Sequence, residues 1–406
     1  VQGGVGTGVS LPYPLIVGAP VIFEAAATYS TATVFDSNSN KVVISYRDVG
    51  NSSYGTSVVG TVSGTTITFG TPVVFETASV NHLRATFDSN SNKVVIVYSD
   101  VGNSSYGTAI VGTVSGTSIS FGTAVVYNSS GISDSGVTFD STNNKVVIAY
   151  QHNTNSNYGT AIVGTVSGTA ISFGTDVVFE TASVASVAAT FDSANNKVVI
   201  AYKDEGNSSY GTAIIGTVSG TAISFGTAAV FEAASTTYIT ATFDSNANKV
   251  AIAYKDNGTT YGTAVVGTVS ATSISFGTAV VFETASTNNS TATFDSSSNR
   301  VVISYTDAGN SSHGTSIAGT ISGTSISFGT PVVFEATSTT YITATFDSVN
   351  NKTVTAYQNS ATYGSAVVSN IPNLLTIGTD YFVQSDGSLS TTSSTVPAGR
   401  ALSTSS

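Results

Sequence analysis

The 406-residue sequence contains no cysteine, no methionine and no tryptophan, and only 9% of its residues are charged. Without cysteine there are no disulfide staples and no thiolate metal sites, so stability has to come from packing, and the redox compartment is left open. The lack of methionine, even at position 1, implies that Val1 is not the translated start and that the chain is a processed or partial piece of something longer. Charge is scarce against about 25% in an ordinary soluble domain, and its balance is acidic, with a net charge of -11. No basic patch is present to neutralise a phosphate backbone, which excludes nucleic acid as a partner. No apolar run reaches the about 18 to 20 residues of a membrane span, and no basic-then-apolar signal segment opens the chain. A nucleophile motif and a phosphate-cradling loop are also missing, so no cofactor is expected.

What the chain has in abundance is repetition. The stretch Phe35-Asp36-Ser37-Asn38-Ser39-Asn40-Lys41 returns with its Phe-Asp-Ser start at Phe87, Phe139, Phe191, Phe243, Phe294 and Phe346, at spacings of 52, 52, 52, 52, 51 and 52 residues. A period of that size means stacked units, a solenoid or a propeller. The 41% hydrophobic content, rich in Val, Ile, Thr, Tyr and Phe, forms strands. In the second copy, strands are expected at 84–87, 93–98, 107–115 and, as one long fourth strand, 118–127. Four antiparallel strands make one propeller blade. Lys93-Val94-Val95-Ile96-Val97-Tyr98 is apolar on both faces, which suits a strand sandwiched between neighbouring blades. Pro72 and Pro331 put the fourth strand at the outer rim, and small residues such as Ala85 and Thr86 turn the first toward a central channel. The seventh copy stops after its third strand, whereas Val17-Gly18-Ala19-Pro20-Val21-Ile22-Phe23-Glu24 matches Phe328-Gly329-Thr330-Pro331-Val332-Val333-Phe334-Glu335 in spacing. The N-terminal strand should therefore complete the last blade and close a ring, removing exposed edges.

Seven copies of this length with a shared terminal blade resemble a seven-bladed β-propeller. The resemblance implies an all-β domain over 14–371, preceded by a leader at 1–13 and followed by a short β extension at 372–406. The hairpin Val62-Ser63-Gly64-Thr65-Thr66-Ile67-Thr68-Phe69-Gly70 distantly resembles the Asp-box of sialidase-like propellers, with the Asp missing and Phe in place of Trp. Sialidase chemistry needs an arginine cluster and an activated Tyr, and with only Arg47, Arg84, Arg300 and Arg400 in the chain it does not carry over. Leu375-Thr376-Ile377-Gly378-Thr379-Asp380-Tyr381-Phe382 through Ser390, then Ala398-Gly399-Arg400-Ala401-Leu402-Ser403, is similar to the C-terminal segment of bacteriophage virion and tail-fibre proteins, and the repeats are similar to those of marine phage structural proteins. That likeness implies a virion-surface, extracellular place and other virion proteins as partners.

Residues sort by face. Lys41, Lys93, Lys145, Lys197, Lys249, Arg300 and Lys352 follow the bottom turn five residues after its Asp, where they read as solvated partners of an Asx turn. Arg47, Arg84, Lys203 and Lys255, with His82, His152 and His313, fall in top loops, where the copies also differ most from one another. Variation concentrated on one face points to ligand recognition. Tyr29, Tyr238 and Tyr341 lie in fourth-to-first loops, where a ring face can stack on a sugar. The candidate ligand-binding residues are thus Tyr29, Arg47, His82, Arg84, His152, Lys203, Tyr238, Lys255 and Tyr341, with no catalytic or metal-binding residue assigned. Tyr46, Tyr98, Tyr150, Tyr202, Tyr254, Tyr305 and Tyr357 recur at one position and read as packing residues. Asp48, Asp100, Asp204, Asp256 and Asp307 open oxygen-rich loops suited to Ca²⁺, but isolated carboxylates are more often turn formers. Both tethers leave from the bottom face, which leaves the top free. The expected function is a non-enzymatic recognition or decoration domain on a phage particle that binds host-surface glycan or protein. Two alternatives stay open: a glycoside-cleaving propeller enzyme, with loop acids such as Asp134 and Glu205 converging, and a purely structural virion protein.

Overall fold

A computed structural model describes residues 15–372 of the protein and three short strands in its tail. The expected leader at 1–13 lies outside the described residues. Each Phe-Asp-Ser copy opens the same local structure. The Asp of the motif accepts backbone N–H groups from the residues two and three ahead, as Asp36 does from Asn38 and Ser39, both at 2.9 Å. The Asn four residues after the Asp takes a left-handed conformation, φ 55° at Asn40, which Asn tolerates better than most residues. Lys41 then begins the next strand. Sequence alone thus dictates a tight hairpin, and it forms identically in every copy, from Asp36 to Asp347.

In the second unit the inner strand lies in Val73–Asp88, the second is Lys93–Asp100 and the third is Tyr106–Ser115. All are antiparallel, with Phe87 opposite Val94 and Val94 opposite Gly112. The fourth strand differs from the sequence expectation, because it comes in two pieces, Ser118–Phe121 and Val125–Asn128. Both pieces pair with the third strand, and the chain steps aside between them at Gly122. The reason is a close approach of neighbouring units. A Cβ at Gly122 would run into the carbonyl oxygen of Thr169 in the next unit's hairpin, and the same collision recurs at Gly70 with Thr117 and at Gly174 with Thr221.

A second difference matters more for function. The expected fourth-to-first loops are strands: Val21–Asp36, Val73–Asp88, Val177–Asp192, Ala229–Asp244 and Val280–Asp295 each run 16 residues, serving as the outer strand of one unit and the inner strand of the next. A bulge in the middle, between Asn81 and Arg84 in the second unit, redirects the chain without breaking it. Only the second-to-third and sixth-to-seventh crossings are interrupted among the described residues, at 129–131 and at Thr339.

The core lies between units. Val94, Val95, Ile96 and Tyr98 of the second strand have no exposed surface, and Val43 and Val59 of the first unit join Val94, Ile96 and Tyr98 in one apolar cluster. Six of the seven repeated tyrosine hydroxyls donate to a Glu on the preceding outer strand, as Tyr98 does to Glu76 at 3.0 Å and Tyr254 to Glu232 at 2.9 Å, whereas Tyr150 donates to Asp176 at 3.3 Å. Burial first, and then the Glu carboxylate, pushes the Tyr98 and Tyr254 hydroxyls far above the ordinary phenol range, so they remain donors. The expected packing role of these tyrosines is what the structure shows.

The N-terminal strand pairs antiparallel with the third strand of the seventh unit, Tyr363–Asn370, placing Val21 opposite Ala366 and Ile16 opposite Asn370. Phe23, Phe35 and Tyr46 share a cluster with Val354, Ala356 and Val368. In the tail, Asp380–Val383 pairs antiparallel with both Leu389–Ser390 and Pro397–Arg400. Among the described residues no helix is long and apolar enough to cross a membrane.

Candidate functional site

In six of the seven units the bulge puts one residue into an unusual conformation and aims it at a common centre. Ser30, His82, Ser186, Tyr238, Asn289 and Tyr341 have φ between 49° and 53°, and Asp134 occupies the equivalent place in the third unit. All seven line one cavity of about 550 Å³ on the top face, to which every unit contributes its inner strand. Left-handed backbone is uncommon for any side chain other than glycine and least comfortable for bulky ones. The conformation belongs to the bulge, but placing His82, Tyr238 and Tyr341 in it costs on the order of 1 kcal/mol each, strain of the kind that collects at binding sites.

The cavity exists because the positions below the rim are small: Ala32, Gly136, Ala188 and Thr240 follow two residues after the rim position, and Ala85, Ala189, Ala241 and Ala344 three residues after. Arg84 is the exception. It replaces a small residue in that layer, and 42% of its side chain remains exposed. Its Nη2 lies 3.6 Å from Asp134 Oδ1, and its Nη1 donates to the Leu83 carbonyl at 2.9 Å. Asp134 is itself anchored by backbone, accepting from Ser135 N at 2.8 Å and Val187 N at 3.2 Å. His82 sits part-buried beside this pair. Burial lowers its proton affinity below the ordinary histidine value, Asp134 opposes that, and the charges of Arg84 and Arg47 reinforce it.

Neighbouring units are stitched at the rim by side chain to backbone bonds. Leu83 N donates to Ser30 Oγ at 3.1 Å, Ser135 Oγ to the His82 carbonyl at 3.3 Å, and Ser290 Oγ to the Tyr238 carbonyl at 2.6 Å. Thr31 bonds the Tyr341 carbonyl, and Thr33 pairs with Thr343 at 2.7 Å, so first and seventh inner strands are joined in the same manner. Tyr238 and Tyr341 are 40% and 38% exposed at the mouth.

Of the candidates from sequence, His82, Arg84, Tyr238 and Tyr341 line the cavity. Tyr29 stands behind Tyr341 in an edge-to-face contact at 5.4 Å, with the Arg47 guanidinium 4.7 Å above its ring. Arg47 also donates to Asn81 of the next unit. Lys255 likewise reaches Asn288 at 3.2 Å, whereas Lys203 pairs with Glu205 at 3.3 Å. His152 lies on Tyr150 at 6.1 Å between ring centres, away from the cavity lining. Asp134 lines the cavity and Glu205 does not, so the two loop acids are not brought together there. Asp48, Asp100 and Asp307 are turn formers, accepting N–H groups from Asn51, Asn103 and Asn310. Among the described residues no three His, Asp or Glu side chains gather as a metal site. Ser30, Ser186 and Asn289 were missing from the candidate set. Aligning the copies on their period would have found them, since they share the position of His82, Tyr238 and Tyr341.

The bottom end of the channel is uniform. Phe35, Phe87, Phe139, Phe191, Phe243, Phe294 and Phe346 ring a second cavity of about 510 Å³.

The architecture defines a propeller-like all-β repeat protein with a cavity on the repeat axis. Among solved structures, the chain is similar to the BP39L lectin from Burkholderia pseudomallei, with a TM-score of 0.61 and 10% sequence identity over 85% of this chain and 96% of that one. It is also similar to AofleA from Arthrobotrys oligospora, with a TM-score of 0.51 and 10% identity over 77% and 91% of the two chains. At these identities the likeness concerns the fold. No protein-family model and no curated protein matches the sequence.

Proposed function

We propose that the chain is a non-enzymatic recognition module, a seven-bladed propeller closed by its N-terminal strand, that binds a host-surface glycan at the mouth of the central cavity. The observation that carries this reading is the rim itself: seven equivalent positions, differing from copy to copy, converge on one cavity while the bottom of the same channel repeats Phe without variation. Packing needs sameness, and a ligand needs difference. A cavity of about 550 Å³ falls within the range of small-molecule sites, which favours a sugar over a protein surface. The lectin name of one structural neighbour agrees with carbohydrate binding. Closure is supported by the N-terminal strand's pairing with Tyr363–Asn370 and by Gly18, whose N–H donates to the Val368 carbonyl at 2.9 Å as Gly70 does to Val59.

The similarity of the tail motifs to phage virion proteins supports a place on a virion surface, with the tail directed toward other virion proteins and the top face toward the host. The test is a glycan array probed with labelled protein. Wild type is expected to mark a restricted set of glycans, and the triple variant His82→Ala, Arg84→Ala, Tyr238→Ala to lose at least about tenfold in affinity for them, since truncating central contacts of a site typically costs more than 1 kcal/mol each. Unchanged binding by the triple variant would remove the top-face site from consideration.

A further inference from the structure

The geometry points to a carboxylate-bearing sugar, such as a uronic or sialic acid residue, as the ligand of the central cavity, with its carboxylate on Arg84 and its ring face against Tyr238. This rests on the reading of the cavity as a glycan site and narrows it.

The wall of the cavity is divided. Units two and three contribute His82, Arg84 and Asp134, whereas units five to seven contribute Tyr238, Asn289 and Tyr341. One sector is therefore charged and the opposite one aromatic, which matches a ligand with a charge at one end and a carbon face at the other.

The charged sector sets one cation, Arg84, beside one carboxylate, Asp134, in a chain whose net charge is -11. The sequence has only four arginines, and Arg84 lines the cavity. The carboxylate does not neutralise it by direct pairing. Its oxygens are occupied by the Ser135 and Val187 amides, and its 3.6 Å separation from Arg84 is too long for a direct charge-assisted hydrogen bond. Arg84 is thus oriented by Asp134 and the Leu83 carbonyl without being used up, and its side chain, 42% exposed, lines the cavity. A planar carboxylate is the group that fork fits best, in two parallel hydrogen bonds, and a lysine in its place would supply charge without that geometry. Tyr238 offers its exposed ring across the mouth from the left-handed bulge position, which carries a bulky side chain at a steric cost.

The experiment compares uronate- and sialate-bearing oligosaccharides with their carboxyl-reduced counterparts by titration calorimetry on the intact chain. Wild type is expected to prefer at least one acidic form over its reduced counterpart by tenfold or more, with the preference shrinking as salt is raised. Arg84→Gln should abolish the preference, lowering affinity for the acidic form tenfold or more relative to its reduced counterpart. Arg84→Lys should recover only part of it, and Tyr238→Ala should weaken acidic and reduced forms alike. Equal binding of both forms by wild type, or a preference that survives in Arg84→Gln, overturns the acidic-sugar inference and leaves the glycan reading standing. Failure of wild type to bind any glycan, acidic or neutral, overturns both.

Discussion

His82 is the residue on which the top face is most sharply tuned. Its bulge position makes it part of the cavity lining, and burial with two arginines nearby lowers its pKa below the ordinary 6.5. In the unfolded chain the imidazole takes a proton near 6.5, and in the folded protein it does so only at lower pH, so between those values the unfolded state binds more protons and stability falls as pH falls. The contribution is fully present above the unfolded value and is lost on acidification. Denaturant midpoints measured from pH 8 down to pH 5.5, where ordinary carboxylates stay ionised, are expected to drop for wild type and to drop less for His82→Gln. Equal slopes would mean that His82 does not sense its surroundings in this way. Its neighbour Asp134 illustrates what the sequence conceals at this scale. The copies show Asp134 as one more variable residue, and only the folded register brings it, from the third unit's inner strand, to within 3.6 Å of Arg84 in the second.

Among elements, those that repeat seven times were legible and those that vary were not. The bottom turn and the doubly buried second strand recur with few changes and the packing tyrosines with none, so composition and period sufficed to place them. The crossings read as loops because Val80-Asn81-His82-Leu83-Arg84 is polar and unlike its counterparts. They are strands because a bulge with one left-handed residue keeps the backbone paired on both sides of the turn, with Asn81 opposite Ser99 and Arg84 opposite Val97. The split fourth strand was hidden for a different reason: its cause, the Thr carbonyl of the next unit, lies outside the repeat that it breaks. That contact gives a prediction at the same scale. At Gly70 and at Gly18 an added Cβ meets a backbone carbonyl, of Thr117 and Thr65 respectively, which cannot retreat like a side chain. Overpacking of this kind costs about 1 to 3 kcal/mol. Gly70→Ala and Gly18→Ala are expected to lower the urea midpoint to similar extents. A neutral Gly18→Ala beside a destabilising Gly70→Ala would show that the N-terminal strand is not seated as the other outer strands are.

The whole molecule separates two tasks along its axis. The bottom, with its Asx turns and its Phe ring, repeats because every seam must be packed alike, and the top varies from unit to unit, as the proposed binding of one ligand at the rim would require. Without the N-terminal strand, the third strand of the seventh unit, Tyr363–Asn370, would present a bare edge for pairing with another chain. The N-terminal segment covers that edge, buries Phe23 and supplies Glu24 to the Tyr46 hydroxyl at 3.1 Å. Burial of Phe23 alone contributes about 1.5 to 3 kcal/mol, and the strand's backbone pairing adds to it. Deleting residues 1–27 is therefore expected to lower the unfolding midpoint and to produce oligomers visible by light scattering. A synthetic peptide spanning residues 15–27, supplied in excess, should return the truncated protein to the size of the intact chain, because the missing strand is an outer one that adds to a preformed edge. If the truncated protein keeps the size and stability of the intact chain, the N-terminal strand covers nothing essential and the repeat array does not depend on it.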